Sequence, residues 1–226
     1  MILYLYAIAN GLERVDDLPG ATGEPLILLT VEEVQVIAGE ISAVPQIDAA
    51  SLERQDTLVR ELHTRAAALL PMRFGAAFAS RSEMRSALTL QLPVLQQRLA
   101  IVSGAEQMTL RILGGTGGVG GMGAEGAGAA SGTGGTGAAG AGVNYLRRRA
   151  ARAVPQDVTT LLDAVRPLPR ATRVETGQTP GIVATVYQLI NRGASTEYRV
   201  LVNAAAERLP GRSVRISGPA PCYAFT

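Results

Sequence analysis

The side chains that most often perform catalysis or bind metal ions are scarce in this sequence. It contains one histidine, His63, and one cysteine, Cys222, and all 21 of its basic residues are arginine. One cysteine and one histidine cannot supply the four ligands of a closed zinc site. Without lysine, the chain also lacks the groups that bind phosphate in nucleotide loops, form Schiff bases or act as lysine general bases. We therefore expect no metal site and no lysine chemistry.

The remaining polar residues do not form a recognisable active site. A hydrolytic triad needs a serine or cysteine in a nucleophile turn, and the sequence has no such turn, so we expect His63 at the surface or its boundary. The carboxylate pairs Asp16-Asp17 and Glu32-Glu33 are adjacent residues. Their side chains diverge in an extended chain, so they cannot act together on one bond. We expect a protein that binds rather than an enzyme.

One glycine pattern has the spacing of a dinucleotide-binding loop. Residues 115–120 read Gly-Thr-Gly-Gly-Val-Gly and follow a predicted strand. In such a loop a helix begins at the last glycine, and an acidic residue about 20 positions later binds the ribose. Here more glycine follows, because residues 114–142 are mostly Gly, Ala, Ser and Thr, with Glu125 as the single charge. We expect a flexible linker or loop there, and no nucleotide cofactor.

The strongest candidate for a binding residue is Arg73. Pro71 precedes it and, because it lacks an N–H, should end the helix before it, while Gly75 permits a tight turn. Met72 and Phe74 flank the arginine and, in an extended segment, point to the opposite face, towards a core. The sequence therefore predicts a guanidinium on a rigid support. Two interpretations stay open: a connection whose arginine pairs with a carboxylate, or a contact with a partner.

Hydrophobic patterns predict the elements that hold this segment. A helix from Ser51 carries an apolar stripe as far as Leu69. Ser80 and Glu83 have the spacing of a capping box that begins a second helix, and Pro93 should kink or divide that helix. Strands of the first unit are predicted at residues 2–8, 26–29, 34–41 and 107–113.

A chain of 226 residues with 47% hydrophobic content suits one large or two small domains. We predict an α+β fold with a first unit at residues 1–113, the linker at residues 114–142 and a second unit at residues 143–226. Asn144 should cap the first helix of the second unit. Its further elements are predicted as a strand at residues 182–190, a helix at residues 195–208 and a short strand at residues 213–216.

The last nine residues combine prolines with aromatic side chains. Pro219 and Pro221 prevent this tail from forming a helix or a central strand. Tyr223 and Phe225 are too apolar to remain in solvent. We therefore expect the tail to dock on the body of the protein.

Charge and hydropathy limit the environment of the chain. Its net charge is +2, and we interpret the one dense basic group as a solvated helix face rather than a nucleic-acid site; that group is Arg147, Arg148, Arg149 and Arg152. No uncharged apolar run is long enough to span a membrane, and the apolar start lacks the basic leader of a signal peptide. We expect a cytoplasmic protein that binds neither nucleic acid nor membrane.

Four motifs, spread over the length of the chain, carry a resemblance to a known family. They are Tyr-Leu-Tyr-Ala-Ile at residues 4–8, Leu-Pro-Met-Arg-Phe-Gly at 70–75, Gly-Val-Asn-Tyr-Leu at 142–146 and Gly-Pro-Ala-Pro-Cys-Tyr-Ala-Phe at 218–225. With these motifs, in this order and spacing, the sequence resembles the gas vesicle synthesis protein L/F family. In the last motif, Ala220 and Cys222 stand where the family has a tryptophan and a second proline.

The resemblance implies an N-terminal ferredoxin-like domain, an antiparallel sheet with helices on one face, and a smaller C-terminal α+β domain. It implies a cytoplasmic, vesicle-associated accessory protein that contacts the small hydrophobic shell protein, and other accessory proteins as further partners. The residues expected to bind protein are Met72, Arg73, Phe74, Gly75, Tyr223 and Phe225. The residues expected to maintain the motifs are Pro71, Tyr145, Gly218, Pro219 and Pro221. The alternative is a small-molecule-binding or enzymatic protein that keeps only a ferredoxin-like scaffold.

The glycine-rich stretch gives a first testable prediction. Replacing residues 114–142 with a short Gly-Ser linker should leave the free energy of unfolding nearly unchanged, because the stretch lacks apolar periodicity. Thermal or denaturant unfolding of the two proteins measures the difference. A loss above about 2 kcal/mol, the scale of a typical core mutation, would mean that the stretch is packed structure.

Overall fold

The computed structural model describes residues 1–114, 155–176, 179 and 181–226. These residues form two antiparallel sheets, four α-helices and one 3₁₀ helix, which is the α+β class predicted from the sequence. Several predicted features lie outside the described residues, namely the glycine pattern, nearly all of the predicted linker, the helix start at Asn144, the motif residue Tyr145 and the basic cluster.

The first sheet occupies the N-terminal part of the chain. Its strands are β1 (Ile2–Asn10), β2 (Leu26–Val31), β3 (Val34–Ile41), β4 (Ala68–Pro71) and β5 (Ala77–Phe78). The order is β2-β3-β1-β4, and β5 also pairs with β1. The helices of this part are α1 (Ala49–Arg65) and α2 (Arg81–Val102).

β1 is buried on both of its faces. Leu3 and Leu5 pack in a core with α2, whereas Tyr4 and Tyr6 pack in a second core with α1. Because neighbouring residues of a strand point to opposite faces, the two helices cover opposite faces of the sheet. The expected arrangement, with the helices on one face, is therefore wrong for this sheet. A strand that is apolar on both sides needs cover on both sides.

The second sheet has a different order of elements. Its elements are β6 (Ala105–Gly114), α3 (Gln156–Val165), β7 (Ala171–Thr176), β8 (Ile182–Asn191), α4 (Ser195–Ala206) and β9 (Arg212–Ala220). The strand order is β7-β8-β6-β9, and α3 and α4 share one core with a single face of the sheet. A β-α-β-β-α-β succession of this kind is the ferredoxin-like motif. The resemblance implied a ferredoxin-like domain in the N-terminal part, but the first sheet begins with three consecutive strands, as the hydrophobic pattern predicted.

The strand predicted at residues 107–113 is β6, and its place differs from the prediction. It was expected to complete the first unit, but it pairs with β8 and β9 inside the second sheet. The predicted linker consequently connects β6 to α3 of the same sheet. Alternation identified the strand but could not identify its partners. The face expected in solvent is also covered, since Gln107 and Thr109 are only 5% and 8% exposed.

The first helix ends earlier than the sequence pattern predicts. α1 stops at Arg65, and the backbone of Ala66 is already extended. The next residues form β4, in which Ala68 pairs with Asn10 and Pro71 pairs with Ala7 of β1. Pairing with a buried strand therefore overrides the local helical pattern. Pro71 ends a strand rather than a helix.

The second helix begins as predicted and continues further. The amide of Glu83 donates to Ser80 Oγ at 3.1 Å, so the predicted cap at Ser80 is confirmed. The Glu83 carboxylate accepts from the amide of Ala79, one residue before the cap, at 2.8 Å. α2 then runs through Pro93 without a break. Pro93 and Thr89, whose carbonyl loses its partner, are both exposed, so water can satisfy that carbonyl.

Polar contacts join the two sheets near the start of β6. His63 of α1 donates from Nε2 to the carbonyl of Ala105 at 3.1 Å, and the Arg192 guanidinium donates to the carbonyl of Ala66 at 2.8 Å. His63 is 8% exposed, so the expected surface position is wrong. Burial, together with the positive charge of Arg192, lowers the pKa of His63 to about 4.

This buried histidine predicts an acid-sensitive fold. The unfolded chain takes up a proton on His63 below a pH of about 6.5, whereas the folded protein takes it up only near pH 4. Stability should therefore fall by up to about 3 kcal/mol as the pH drops from about 6.5 to about 4. Denaturant unfolding across this range measures the loss.

A His63→Gln variant is the control for that prediction, because its amide can still donate to Ala105 but does not titrate. The difference in stability between the two proteins separates the titration of His63 from that of the carboxyl groups of the chain, including Glu106, whose pKa is raised by burial. Equal pH profiles for the two proteins would show that His63 does not titrate as described.

Candidate functional site

The segment that connects β4 to β5, residues 72–76, is held by backbone hydrogen bonds at both ends. The amide of Met72 donates to the carbonyl of Tyr6 at 2.9 Å, and the amide of Leu5 donates to the carbonyl of Ala76 at 2.8 Å. Between these contacts, the amide of Ala76 closes a turn on the carbonyl of Arg73 at 3.1 Å. We call residues 72–76 the arginine turn.

Gly75 supplies the backbone conformation that this turn requires. Its φ is +86°, at the third position of a turn that runs from Arg73 to Ala76. A positive φ at that position is typical of type II turns and favours glycine over residues with a Cβ. The sequence prediction of a tight turn at Gly75 is thus confirmed.

Tyr4 of β1 holds the arginine turn in position through its hydroxyl group. Its side chain is fully buried, and its hydroxyl donates to Gln55 Oε1 at 2.6 Å and accepts from the amide of Gly75 at 2.9 Å. Gln55 also donates from Nε2 to the carbonyl of Met72 at 3.3 Å. Burial raises the pKa of Tyr4, so its hydroxyl keeps its proton and continues to donate. The Phe74 ring meets the Tyr4 ring edge to face, with centroids 6.2 Å apart.

Side chains alternate along the turn as the sequence predicts. Met72 and Phe74 are half-buried, whereas Arg73 is exposed. Among the described residues, no hydrogen bond or ion pair is recorded for the Arg73 guanidinium. The interpretation in which Arg73 pairs with a carboxylate of the same chain therefore finds no partner in the part of the chain that the structure describes.

Two cavities flank the arginine turn, and Arg73 lines both of them. The larger has a volume of 550 Å³ and lies between the turn and α2, with apolar walls that include Leu70, Phe78, Leu88 and Leu95. Its rim also carries the exposed Arg98 and Thr226. The smaller has a volume of 310 Å³ and is lined by the turn together with Leu52, Gln55, Asp56 and Tyr223.

The C-terminal tail lies against the first sheet and α1. Cys222 is fully buried in the core under α2, where burial raises the pKa of its thiol to about 12. Tyr223 is 40% exposed, and its hydroxyl donates to Asp56 Oδ1 of α1 at 2.7 Å. Phe225 packs against the same core as Cys222. The amide of Ala224 donates to Gln107 Oε1 of β6 at 2.8 Å.

The structure brings most of the predicted site residues together. Met72, Arg73, Phe74 and Tyr223 line the smaller cavity, and Gly75 lines the larger one. Of the predicted motif residues, Pro71 ends β4, Gly218 and Pro219 lie near the end of strand β9, and Pro221 directly follows that strand. The carbonyls of Gly218 and Pro219 accept hydrogen bonds from Arg199 and Arg60.

Sequence reasoning missed three residues that complete the site. Tyr4 and Gln55 fix the turn, and Arg98 adds a second cation to the larger cavity. From the sequence, Tyr4 is assigned to a predicted strand and to the first motif, without a role in the turn. Gln55 could have been identified from the sequence, because it is a polar residue one helical turn before Val59 on the apolar face of α1, and a buried polar side chain needs a hydrogen-bond partner.

Two further findings concern the environment of the site. No helix in the described ranges combines the length and the apolar character that a bilayer crossing requires. Within the same ranges, no group of three or more His, Cys, Asp or Glu side chains is arranged to hold a metal ion.

Solved structures of two gas vesicle proteins share this fold. GvpF from Anabaena sp. PCC7120 matches with a TM-score of 0.73 at 14% identity, covering 99% of this chain and 95% of that one. GvpF from Microcystis aeruginosa also matches with a TM-score of 0.73 at 14% identity, covering 99% of this chain and 98% of that one. At this identity the likeness concerns the fold alone. No protein with curated annotation matches the sequence.

The sequence as a whole gives a stronger link than these structures. The family model described as gas vesicle synthesis protein GvpL/GvpF matches residues 2–226 and so includes the arginine turn, both sheets and the tail. Because this match extends over nearly the whole chain, the protein belongs to the GvpL/GvpF family of gas vesicle synthesis proteins.

Proposed function

We propose that this protein is an accessory factor of gas vesicle assembly that binds the small hydrophobic shell protein through the arginine turn. In this proposal it acts by binding rather than by catalysis, in the cytoplasm and in association with the vesicle. Other gas vesicle accessory proteins are further candidate partners. Membership of a gas vesicle synthesis family supports the biological setting.

The proposal rests on one observation, which is that Arg73 is exposed and unpaired among the described residues although its backbone is fixed on both sides by β1. Because the backbone that carries the guanidinium is fixed, binding has to order only the side chain, and the guanidinium can form two parallel hydrogen bonds with a carboxylate. Such a group is suited to recognise a partner.

The surroundings of Arg73 favour a hydrophobic partner that carries an acidic residue. The walls of the 550 Å³ cavity include leucine and phenylalanine side chains, and its rim bears Arg73 and Arg98. An apolar segment could bury its side chains against these walls, while a carboxylate on that segment meets the guanidinium groups. A small hydrophobic shell protein fits this description better than a polar small molecule does.

We also propose that the chain is built of two domains with the boundary near Gly104, between α2 and β6. The boundary is placed there because β6 pairs with strands of the second sheet alone. The arginine turn then belongs to the N-terminal domain, which we expect to carry shell-protein binding.

Arg73→Lys should weaken capture of the shell protein although the charge is retained. Lysine cannot reproduce the two-pronged contact, and we expect a loss of about tenfold or more in affinity. The measurement is a pull-down of co-expressed shell protein, run beside unfolding curves. Arg85→Lys is the matched control, because Arg85 is also exposed and lies on α2 away from the cavity lining.

Normal capture by Arg73→Lys would place the shell-protein contact elsewhere. An equal loss in Arg73→Lys and Arg85→Lys, which both keep the charge, would show that the loss of capture is not specific to the turn. If Arg73→Ala lowers only the unfolding midpoint, Arg73 has a structural role.

Tyr4→Phe should also weaken capture of the shell protein, because the arginine turn would no longer be held in position by the Tyr4 hydroxyl. The change removes the hydroxyl that accepts from Gly75 and leaves that amide without its partner, at a cost of about 1 to 3 kcal/mol in stability. Tyr198→Phe is the matched control, since it deletes a buried hydroxyl that bonds to Gln188 Oε1 at 2.5 Å in the second sheet. We expect both variants to lose stability and only Tyr4→Phe to lose shell-protein capture. Equal capture by the two variants would contradict the anchoring role of Tyr4.

A further inference from the structure

The second sheet has a face that its helices do not cover. α3 and α4 pack against the face formed by Met108, Leu110 and Ile112. On the opposite face, one end is covered, because Ala105 and Leu189 join the core of the first sheet. At the other end of that face, exposed and half-buried side chains line a cavity of 420 Å³. This half of the sheet is separate from the arginine turn.

Two arginines face each other in this cavity. Arg111 of β6 pairs directly with Arg215 of β9 in the register of the sheet, and both side chains line the cavity. Like charges directly opposite on neighbouring strands destabilise a sheet. Neither guanidinium has a recorded hydrogen bond or ion pair with the described residues. The fold thus retains a local repulsion that its own described residues do not relieve.

Among the described residues that line the cavity, the one carboxylate already has partners. Glu175 of β7 forms an ion pair with Arg173 at 2.8 Å and accepts a hydrogen bond from the Tyr187 hydroxyl at 3.4 Å. The cavity therefore keeps a net positive charge. Residues 115–154 could add little negative charge, since they contain a single acidic residue, Glu125.

The remaining lining suits a protein ligand. Leu113 and Ile182 add half-buried apolar surface, and Tyr187 adds an aromatic ring beside the two arginines. Arginine and tyrosine beside apolar side chains are typical of the residues that dominate protein–protein binding energies. Since both guanidinium groups are exposed in the free protein, a small hydrated anion would gain little there, whereas a docked polypeptide would exclude water and strengthen the ionic contacts.

We propose that the pocket formed by Arg111, Arg215, Thr185 and Tyr187 binds an acidic segment of a protein partner. A carboxylate of the partner would accept hydrogen bonds from both guanidinium groups and remove their mutual repulsion. This contact is independent of the arginine turn, so a partner could be held on the second sheet while the first sheet binds the shell protein.

The test uses the full-length protein and a fluorescent poly-glutamate peptide in an anisotropy titration. The double variant Arg111→Gln with Arg215→Gln should bind at least about tenfold more weakly than the wild type. The control is Arg85→Gln with Arg208→Gln, which makes the same change in net charge at exposed positions outside the cavity. The control should bind like the wild type, and added salt should weaken wild-type binding.

Three results would overturn the proposal. The first is an equal loss in the two double variants, which would indicate attraction by net charge alone. The second is inorganic phosphate that displaces the peptide at the peptide's own concentration, which would indicate a small-anion site. The third is a single-stranded oligonucleotide that binds the pocket more tightly than the peptide does.

Unfolding midpoints of the same variants show whether a loss of peptide binding results from a loss of stability. Removing two facing charges should raise the unfolding midpoint of the Arg111→Gln, Arg215→Gln protein or leave it unchanged. Arg111→Lys with Arg215→Lys keeps the charge but loses the two-pronged geometry, and its affinity should fall between those of the wild type and the glutamine variant. Lysine variants that bind as tightly as the wild type would contradict the proposed carboxylate contact.

Discussion

Burial of β1 on both faces is the constraint on which the rest of this structure depends. A strand that is apolar on both sides must be covered on both sides, so α1 and α2 occupy opposite faces of the first sheet. The same burial places the Tyr4 hydroxyl where water cannot reach it, and a buried hydroxyl needs partners. Gln55 and the amide of Gly75 are those partners. The position of the arginine turn is thus set in part by the hydrogen bond that the buried Tyr4 hydroxyl accepts from the amide of Gly75.

The contact between the sheets follows the same physical rule. Ala66 lies between α1 and β4, where its carbonyl is free of helix and sheet partners, and Arg192 of the second sheet donates to it. His63 donates to Ala105, the first residue of β6. These bonds link backbone groups that would otherwise be buried and unsatisfied at an element end. The tail reaches the same place, because the buried Cys222 thiol donates to the carbonyl of Ala105 at 3.9 Å.

The sequence could predict features whose cause is local. The capping box at Ser80 depends on residues three positions apart, and the turn at Gly75 depends on one backbone angle. It could not predict that α1 ends at Arg65, because pairing of β4 with a distant strand decides that end. The burial of His63 and the partners of β6 also arise between residues far apart in the chain. Arg111 lies opposite Arg215 because of the register between β6 and β9, and the pattern of residues within one strand does not reveal its register with another.

Lack of an ion pair does not by itself distinguish Arg73 from other surface arginines. Arg60 and Arg65 pair with carboxylates at exposed positions, and such pairs contribute only about 0 to 1 kcal/mol. Arg85 is exposed and lacks a partner among the described residues, yet it lies on a helix surface and lines neither cavity beside the turn. Arg73 differs in that its backbone is fixed on both sides and apolar cavities flank it. Recognition requires a charge held in a defined position beside surface that can be desolvated, and of these four arginines only Arg73 meets both conditions.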